Sequence, residues 1–201
     1  MSHIEWMESV DSTNSEVRRR FETLDNLSVI AAVSQTAGRG QGDHTWHSRV
    51  GVNLTFSLLM KFGDGFSLAS RDQIAITYMM TLSLLSYLRN KNVQARIKWP
   101  NDIWVDDRKI CGILIENVLT GPDMKYSIVG VGLNINETDF PSDLPNPTSL
   151  AILTGRDDYD IREELELLHK EICRFAGMIP SEDGRKMMED EFNRFVFRLH
   201  E

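Results

Sequence analysis

The stretch Lys98–Glu116, Lys-Trp-Pro-Asn-Asp-Ile-Trp-Val-Asp-Asp-Arg-Lys-Ile-Cys-Gly-Ile-Leu-Ile-Glu, leaves this chain little conformational choice. Trp99 precedes Pro100 and is driven toward extended backbone, so Lys98-Trp99 reads as the end of a strand. Ile103-Trp104-Val105 reads as a second strand, Asp106-Asp107 as a turn, and Lys109 opens an apolar run from Ile110 to Ile115. The pattern predicts a hairpin with a lysine at its entrance. Gly112 marks a point where something approaches the backbone closely. Asn101-Asp102 puts an amide and a carboxylate at the mouth of a turn. That pair suits a nucleotide or a hydrated Mg²⁺, an ion usually held by one or two carboxylates plus substrate phosphates. Taken singly, each residue also has a plainer reading, with Lys98 and Lys109 as solvated lysines and Asp106-Asp107 as turn chemistry alone.

Three other segments stand out. Ile4–Met7 with Val10 reads as a strand, and Asp11–Glu16 starts a helix. There Thr13 and Glu16 fit a capping box, and Val17, Phe21 and Leu24 form an apolar stripe. Val29–Val33 is continuously apolar, as expected of a strand buried on both faces. It leads into Gln35 and a loop, Gly38-Arg39-Gly40-Gln41-Gly42-Asp43-His44-Thr45-Trp46, whose three glycines exclude a helix or strand interior. This is neither a dinucleotide fingerprint nor a P-loop. Arg39 can grip a carboxylate or phosphate through two parallel bonds. The third segment, Tyr126–Val131, reads as a strand ending in Gly130-Val-Gly132-Leu-Asn134. Its glycines allow either close backbone approach or a β-bulge. Around these lie a strand over 51–60, a largely apolar central helix over 72–90, a proline-rich loop over 140–147, a short helix capped by Thr148-Ser149, and an acidic helical stretch over 161–199 that contains two amphipathic helices over 161–175 and 185–197.

Lys98-Trp-Pro-Asn-Asp102 followed by Arg108-Lys109-x-x-Gly112-Ile-Leu114 is similar to the signature of biotin–protein ligases. Ser12-Thr13-Asn14, Gly38–Trp46 and Gly130–Asn134 agree with it, so four separated segments over the first two-thirds of the chain carry the resemblance. The loop departs from the family pattern. Gln41 stands where the family has a second arginine, and the further basic residue that precedes the family's tryptophan is either replaced by His44 or absent. The resemblance implies an α/β (α+β) fold, a mixed, largely antiparallel β-sheet backed by helices, like that of class II aminoacyl-tRNA synthetases. It implies that ATP and biotin are joined as biotinyl-5′-AMP, after which biotin passes to a lysine of a biotin carboxyl carrier domain.

By the same resemblance, Ser12, Thr13, Asn14, Gln35, Gly38, Arg39, Trp46, Lys109, Gly112, Leu114, Gly130 and Gly132 would contact biotin. Lys98, Trp99, Asn101, Asn134 and Gln41 would serve ATP, and Asp102 with Asn101 would serve Mg²⁺. Lys109 is the main catalytic candidate and Arg39 the second, because the first step brings two anions together and fixed cations should dominate it. Asp102 is the candidate to take the acceptor lysine's proton. The 38–48 loop is expected to order over substrate. A lipoate or octanoate ligase shares the fold in outline, and a non-catalytic biotin-binding module is the rival from another class.

Composition removes other classes. A chain of 201 residues is one ordinary domain or one domain plus a small appendage, and the resemblance implies one catalytic domain over residues 1–201; the net charge of −8 predicts no general affinity for nucleic acid. Cys111 and Cys173 form no paired motif, so neither a disulfide framework nor a zinc site is indicated. No leader pattern and no membrane-length apolar run are visible, which predicts a cytoplasmic protein. Family members often dimerise through the sheet edge and usually continue into a small C-terminal β-barrel. The sequence stops at Glu201 without one, and no helix-turn-helix pattern precedes the ligase-like segments, so a repressor role is not expected.

Overall fold

The computed structural model describes residues 3–42, 44–63 and 65–197. Its chain order is β1 (Ile4–Val10), α1 (Thr13–Arg20), β2 (Val29–Gln35), β3 (Leu54–Lys61), α2 (Ile74–Asn90), β4 (Arg96–Lys98), β5 (Asp102–Val105), β6 (Arg108–Thr120), β7 (Asp123–Leu133), α3 (Leu150–Thr154), α4 (Ile161–Ala176), α5 (Glu182–Phe195) and β8 (Val196–Phe197). The strands form a single sheet in the order β1-β2-β3-β7-β6-β5-β4-β8. Its inner junctions are antiparallel. The outer ones, β1 with β2 and β4 with β8, are parallel. The expected mixed, largely antiparallel sheet is what the chain builds.

Side chains alternate across a sheet, and the two faces here differ sharply. Phe56, Leu58 and Met60 of β3, Val129, Val131 and Leu133 of β7, Cys111 and Ile113 of β6, and Ile103 of β5 share one apolar core with α2 and α4. The helix α2 is buried almost all round, which explains its near-continuous apolar sequence. On the opposite face Val17 of α1, and Leu24 just after that helix, join Ile30, Leu59 and Ile128 in a smaller core. The remainder of that face carries Ser57, Gly130, Gly132, Gly112, Leu114 and Glu116. It is too polar and too small to be a core, and it is where a cavity forms.

Several expectations shift. Thr13 and Glu16 make no capping box: the N-cap is Ser12, without a side-chain cap bond, and the Thr13 hydroxyl donates to Gln35 Oε1 instead. Glu16 pairs with Arg19. A hydroxyl with a long-range acceptor does more than close its own helix. The strand expected over 51–60 begins only at Leu54, because Gly51 turns with φ +74°. No β-bulge lies at Gly130–Gly132; the register slips at Val118/Leu119 and at Ile103/Trp104 instead. The last helix starts and ends earlier than expected, and Val196-Phe197 pair with β4 as a strand. The expected extension of the acidic helices to 199 falls, in its last two residues, outside those described.

Candidate active site

Between the polar sheet face, the 38–46 loop and the proline-rich segment lies a cavity of about 660 Å³. Its inner end is a chain of polar side chains. Gln35 Oε1, at the end of β2, accepts from the Thr13 backbone N–H at 2.8 Å and from the Thr13 hydroxyl at 3.1 Å. The Ser57 hydroxyl lies within hydrogen-bond distance of both Thr13 Oγ1 and Asn14 Oδ1. Asn14 Nδ2 donates to Glu116 Oε2 at 2.8 Å. Ser12, Thr13 and Asn14 are each almost fully buried yet line the cavity. Thr13 and Asn14 are held there through Gln35 and Ser57, ready for a small polar ring.

The floor is glycine for a steric reason. A Cβ on Gly130 would come within 2.2 Å of Asn14 Oδ1, and one on Gly132 within 2.1 Å of the Trp46 ring. Gly112 is approached by both Trp46 and the Lys109 side chain. The close approach expected at these glycines is thus made by other side chains of the chain itself. The indole of Trp46 lies flat on the floor, and its Nε1 is buried without a hydrogen-bond partner.

The outer end carries the charges. Lys109 Nζ lies 2.9 Å from Asp102 Oδ1 and 5.8 Å from the Trp46 ring centroid. Its backbone is fixed from both sides: Lys109 N–H donates to Asn146 O at 2.8 Å, and Thr148 N–H donates to Lys109 O at 2.9 Å. The proline-rich segment therefore straps the lysine in place. Lys98 Nζ lies 4.5 Å above the Trp104 ring and borders the cavity beside Asn101 and Asp102. Asn101 Nδ2 donates to Ile113 O, and Ile113 N–H returns to Asn101 O, so this turn is tied to β6. The expected hairpin exists, and it places Lys98, Asp102 and Lys109 together.

The glycine loop is itself a small hairpin. Trp46 N–H donates to Gly38 O, Gly40 N–H to His44 O, and Arg39 bridges Thr45. Arg39 borders the cavity, but its guanidinium grips Glu116 through two bonds of 3.2 and 2.9 Å. Burial alone would raise the Glu116 carboxyl. The Asn14 amide and the Arg39 and Arg18 guanidiniums outweigh it and hold the group below its ordinary range. Behind the loop lies a second cavity of about 500 Å³, between Gly38, Arg39, Leu114 and Glu116.

Sixteen of the residues expected at the site border the larger cavity, and two do not. Trp99 packs edge-on against Phe192, and its backbone N–H donates to Phe197 O, so it buttresses the hairpin from behind. Gly38 faces the smaller cavity. Gln41 reaches the larger cavity from an exposed position, and Asn134 borders it while donating from Nδ2 to Thr148 O. Sequence reasoning missed Glu116 on the smaller cavity and, on the larger one, Trp104 and the wall formed by Phe140 and Leu144–Pro147. The last had a signal: Pro145-Asn146-Pro147, with Asn146 at φ +47°, is too constrained for an ordinary linker. Among the described residues no three acidic, His or Cys side chains converge as a metal site. Asp102 is the cavity carboxylate that could meet an ion arriving on phosphates.

Comparison with known proteins places these features in context. The model of the biotin/lipoate A/B protein ligase family matches residues 6–134. The bifunctional ligase/repressor BirA of Salmonella typhimurium is 30% identical over 201 residues, covering 93% of this chain and 59% of the relative. The biotin–[acetyl-CoA-carboxylase] ligase of Paracoccus denitrificans is 27% identical over 172 residues, covering 84% of this chain and 71% of the relative. This chain spans only 38% of the Escherichia coli BirA that it matches at 33% identity, over 63% of its own length. The structure superposes on the Aquifex aeolicus biotin protein ligase in complex with biotin and ATP with a TM-score of 0.80 at 24% identity, covering 98% of this chain and 79% of that one. The Leishmania major ligase with biotinyl-5-AMP gives 0.75 at 22% identity, covering 99% and 84%.

Proposed function

This chain belongs to the biotin/lipoate A/B protein ligase family, and on that premise we propose that it activates biotin with ATP and passes the biotinyl group to a lysine of a biotin carboxyl carrier domain. The observation that carries the reading is the polarity of the cavity along its length. Neutral donors and acceptors (Thr13, Asn14, Gln35) stand at one end, a glycine and indole trough lies between, and Lys98 and Lys109 stand at the other. That order matches biotin, whose ureido ring and carboxylate lie at opposite ends of an apolar chain. The structurally similar ligases of Aquifex aeolicus, in complex with biotin and ATP, and of Leishmania major, in complex with biotinyl-5-AMP, agree with it.

In the first step a carboxylate oxygen of biotin attacks the α-phosphorus of ATP, the bond from that phosphorus to the bridging oxygen breaks, and pyrophosphate leaves. Lys109 stabilises the negative charge gathering between carboxylate and phosphate; a preorganised cation in a partly dry site is effective in this role. Its ion pair with Asp102 keeps the ammonium aimed across the cavity, and the strap at Asn146–Thr148 fixes its main chain. Lys98, Asn101, Asn134 and Gln41 face the nucleotide side, and the Phe140 and Leu144–Pro147 wall offers it an apolar surface. Trp99 acts from behind, and Gly38 shapes the loop. Mg²⁺ carried on the ATP phosphates would neutralise them, with Asp102 the carboxylate and Asn101 the amide beside it. In the second step the acceptor lysine's amine attacks the acyl carbon, AMP leaves, an amide forms, and Asp102 is placed to take the proton. The 38–48 loop shields the adenylate from water. Residues 1–201 would thus work as one catalytic domain in the cytoplasm, where ATP and carrier protein meet; no helix among the described residues is long and apolar enough to cross a membrane. The β1 edge, open beside β2, leaves a homodimer available.

ATP–pyrophosphate exchange measured with biotin, with lipoate and with neither tests the reading. Exchange that requires biotin supports it. Exchange with lipoate alone would reassign the substrate, and biotin binding without exchange would make the protein a binder.

A further inference from the structure

Glu116 belongs to no part of the chemistry above, yet it holds more polar partners than any neighbouring residue on its strand. Positions 112, 114 and 116 of β6 share the cavity face, so the carboxylate emerges just beyond Gly112 and Leu114. It accepts from Asn14 Nδ2 at 2.8 Å, from Arg18 at 3.0 Å, and from both terminal nitrogens of Arg39 at 3.2 and 2.9 Å. Two of these partners lie on opposite walls of the cavity. Asn14 stands in the first turn of α1, its Oδ1 resting on Gly130 beside Ser57. Arg39 stands in the glycine loop.

The loop has little else to hold it. Its backbone bonds from Gly40 to His44 and from Trp46 to Gly38 are internal. Among the described residues, the Arg39–Glu116 pair is the hydrogen-bonded side-chain link from residues 38–46 to the body of the protein. The other link is the Trp46 ring on Gly132, Gly112 and Lys109. A carboxylate that also orients the Asn14 amide, through the Nδ2 bond, sets both walls at once.

We propose that Glu116 is a positioning residue that ties the glycine loop to the α1 wall through Arg39 and thereby holds the ligand cavity in its binding shape. Arg39, on this account, acts mainly as the loop's anchor. Geometry of this kind is worth more than a surface pair because it is bidentate and shared among several charges. The ligand half of the inference rests on the proposed function, whereas the tie itself does not.

Limited trypsin digestion of the ligand-free protein, quantified by the fragment ending at Arg39, reads the tie directly. Glu116→Gln should speed that cleavage by roughly fivefold or more, on the scale of couplings between contacting charged groups. Arg39→Lys leaves β6 untouched, retains a tryptic site and loses the fork, so it should also be cut faster. Glu5→Gln, which removes the Arg20 pair on the far side of α1, should leave the rate unchanged. In biotin-dependent exchange, Glu116→Gln should raise KM for biotin about tenfold with kcat within about twofold, the pattern of lost positioning for binding. The same substitution should add less than about twofold in KM when Arg39→Gln is already present. Cleavage at wild-type rate in both Glu116→Gln and Arg39→Lys overturns the tie, as does full additivity in the double variant. Faster cleavage of the variants, with no biotin-dependent exchange by the unsubstituted protein, upholds the tie and sinks the proposed function.

Discussion

Replacing Gly132 by alanine puts the proposed architecture under the most direct strain. The new methyl carbon would lie 2.1 Å from Trp46 Cε2, 2.4 Å from Cζ2 and 2.5 Å from Nε1, whereas carbon atoms pack at about 3.5–4.0 Å. The ring must therefore retreat by more than an ångström or β7 must buckle. Since Gly132 pairs on one side with Thr55 and on the other with Gly112 in the middle of the sheet, the strand is the stiffer partner. Trp46, partly exposed and carried on a loop, gives way. Overpacking costs typically about 1–3 kcal/mol, and the displaced indole also loses its contact with Lys109, worth roughly 0.5–1 kcal/mol where water reaches the pair. If about 1.5–2 kcal/mol of this falls on the shape of the cavity, KM for biotin in ATP–pyrophosphate exchange rises by roughly 10–30-fold. The thermal midpoint should drop by only a few degrees, because the core on the other face is unaffected. A biotin KM within about twofold of wild type, in a protein that melts normally, would show that Trp46 on Gly132 is not a wall of the binding site.

Three further outcomes are expected. Lys109→Ala should slow biotin-dependent exchange by at least about a hundredfold, and a loss of less than tenfold, about 1.4 kcal/mol, would refute its electrostatic role. Lys91 Nζ and the Tyr87 hydroxyl both lie 2.7 Å from the buried Glu164 carboxylate. Lys91→Met should therefore lower the melting temperature by about 5–10 °C, from roughly 2–3 kcal/mol of uncompensated charge. Adding Glu164→Gln should restore most of the loss, and a double variant no better than the single one contradicts the pairing. His169 is held below its ordinary 6.5 by burial, partly offset by Leu27 O. Its folded state therefore resists a proton that the unfolded chain accepts: stability is intact above about pH 6.5 and declines as the pH falls below it. His169→Gln should flatten that decline in thermal melts between pH 7.5 and 5.5, and an unchanged slope would discount the histidine.

Most strands were legible because each is a short apolar or alternating run closed by glycine, proline or paired acids. The Lys98–Glu116 hairpin, the 29–35 strand and the central helix emerged nearly where expected. What escaped depends on partners distant in sequence. Thr13 looks like a cap from its neighbours alone, but Gln35, brought alongside by the parallel β1–β2 pairing, and Ser57 of β3 claim its hydroxyl. Val196-Phe197 cannot be told from the last turn of a helix until β4 offers an edge. Glu116 could have been noticed, since a carboxylate two residues beyond Leu114 falls on the same face as Gly112. The family resemblance pointed to segments that do line one cavity, and the three-dimensional packing shows that its glycines make room for the protein's own tryptophan and asparagine.

The pairing of β8 with β4 also bears on how the protein comes to be made. Ile97 lies beside Val196 and Lys98 beside Phe197, so the hairpin that presents Lys98 and Asp102 is completed by residues synthesised about a hundred positions later, across a loop whose closure is entropically costly. Until that segment has left the ribosome, the strand carrying Lys98 has one unpaired edge and Trp99 lacks its acceptor on Phe197. Most of the polar and glycine-lined end is encoded earlier and can take shape first. A nascent chain would therefore complete the side of the cavity lined by Thr13, Asn14 and Gln35 before the side that carries Lys98 and Asp102, so the two ends of one cavity are finished at different times.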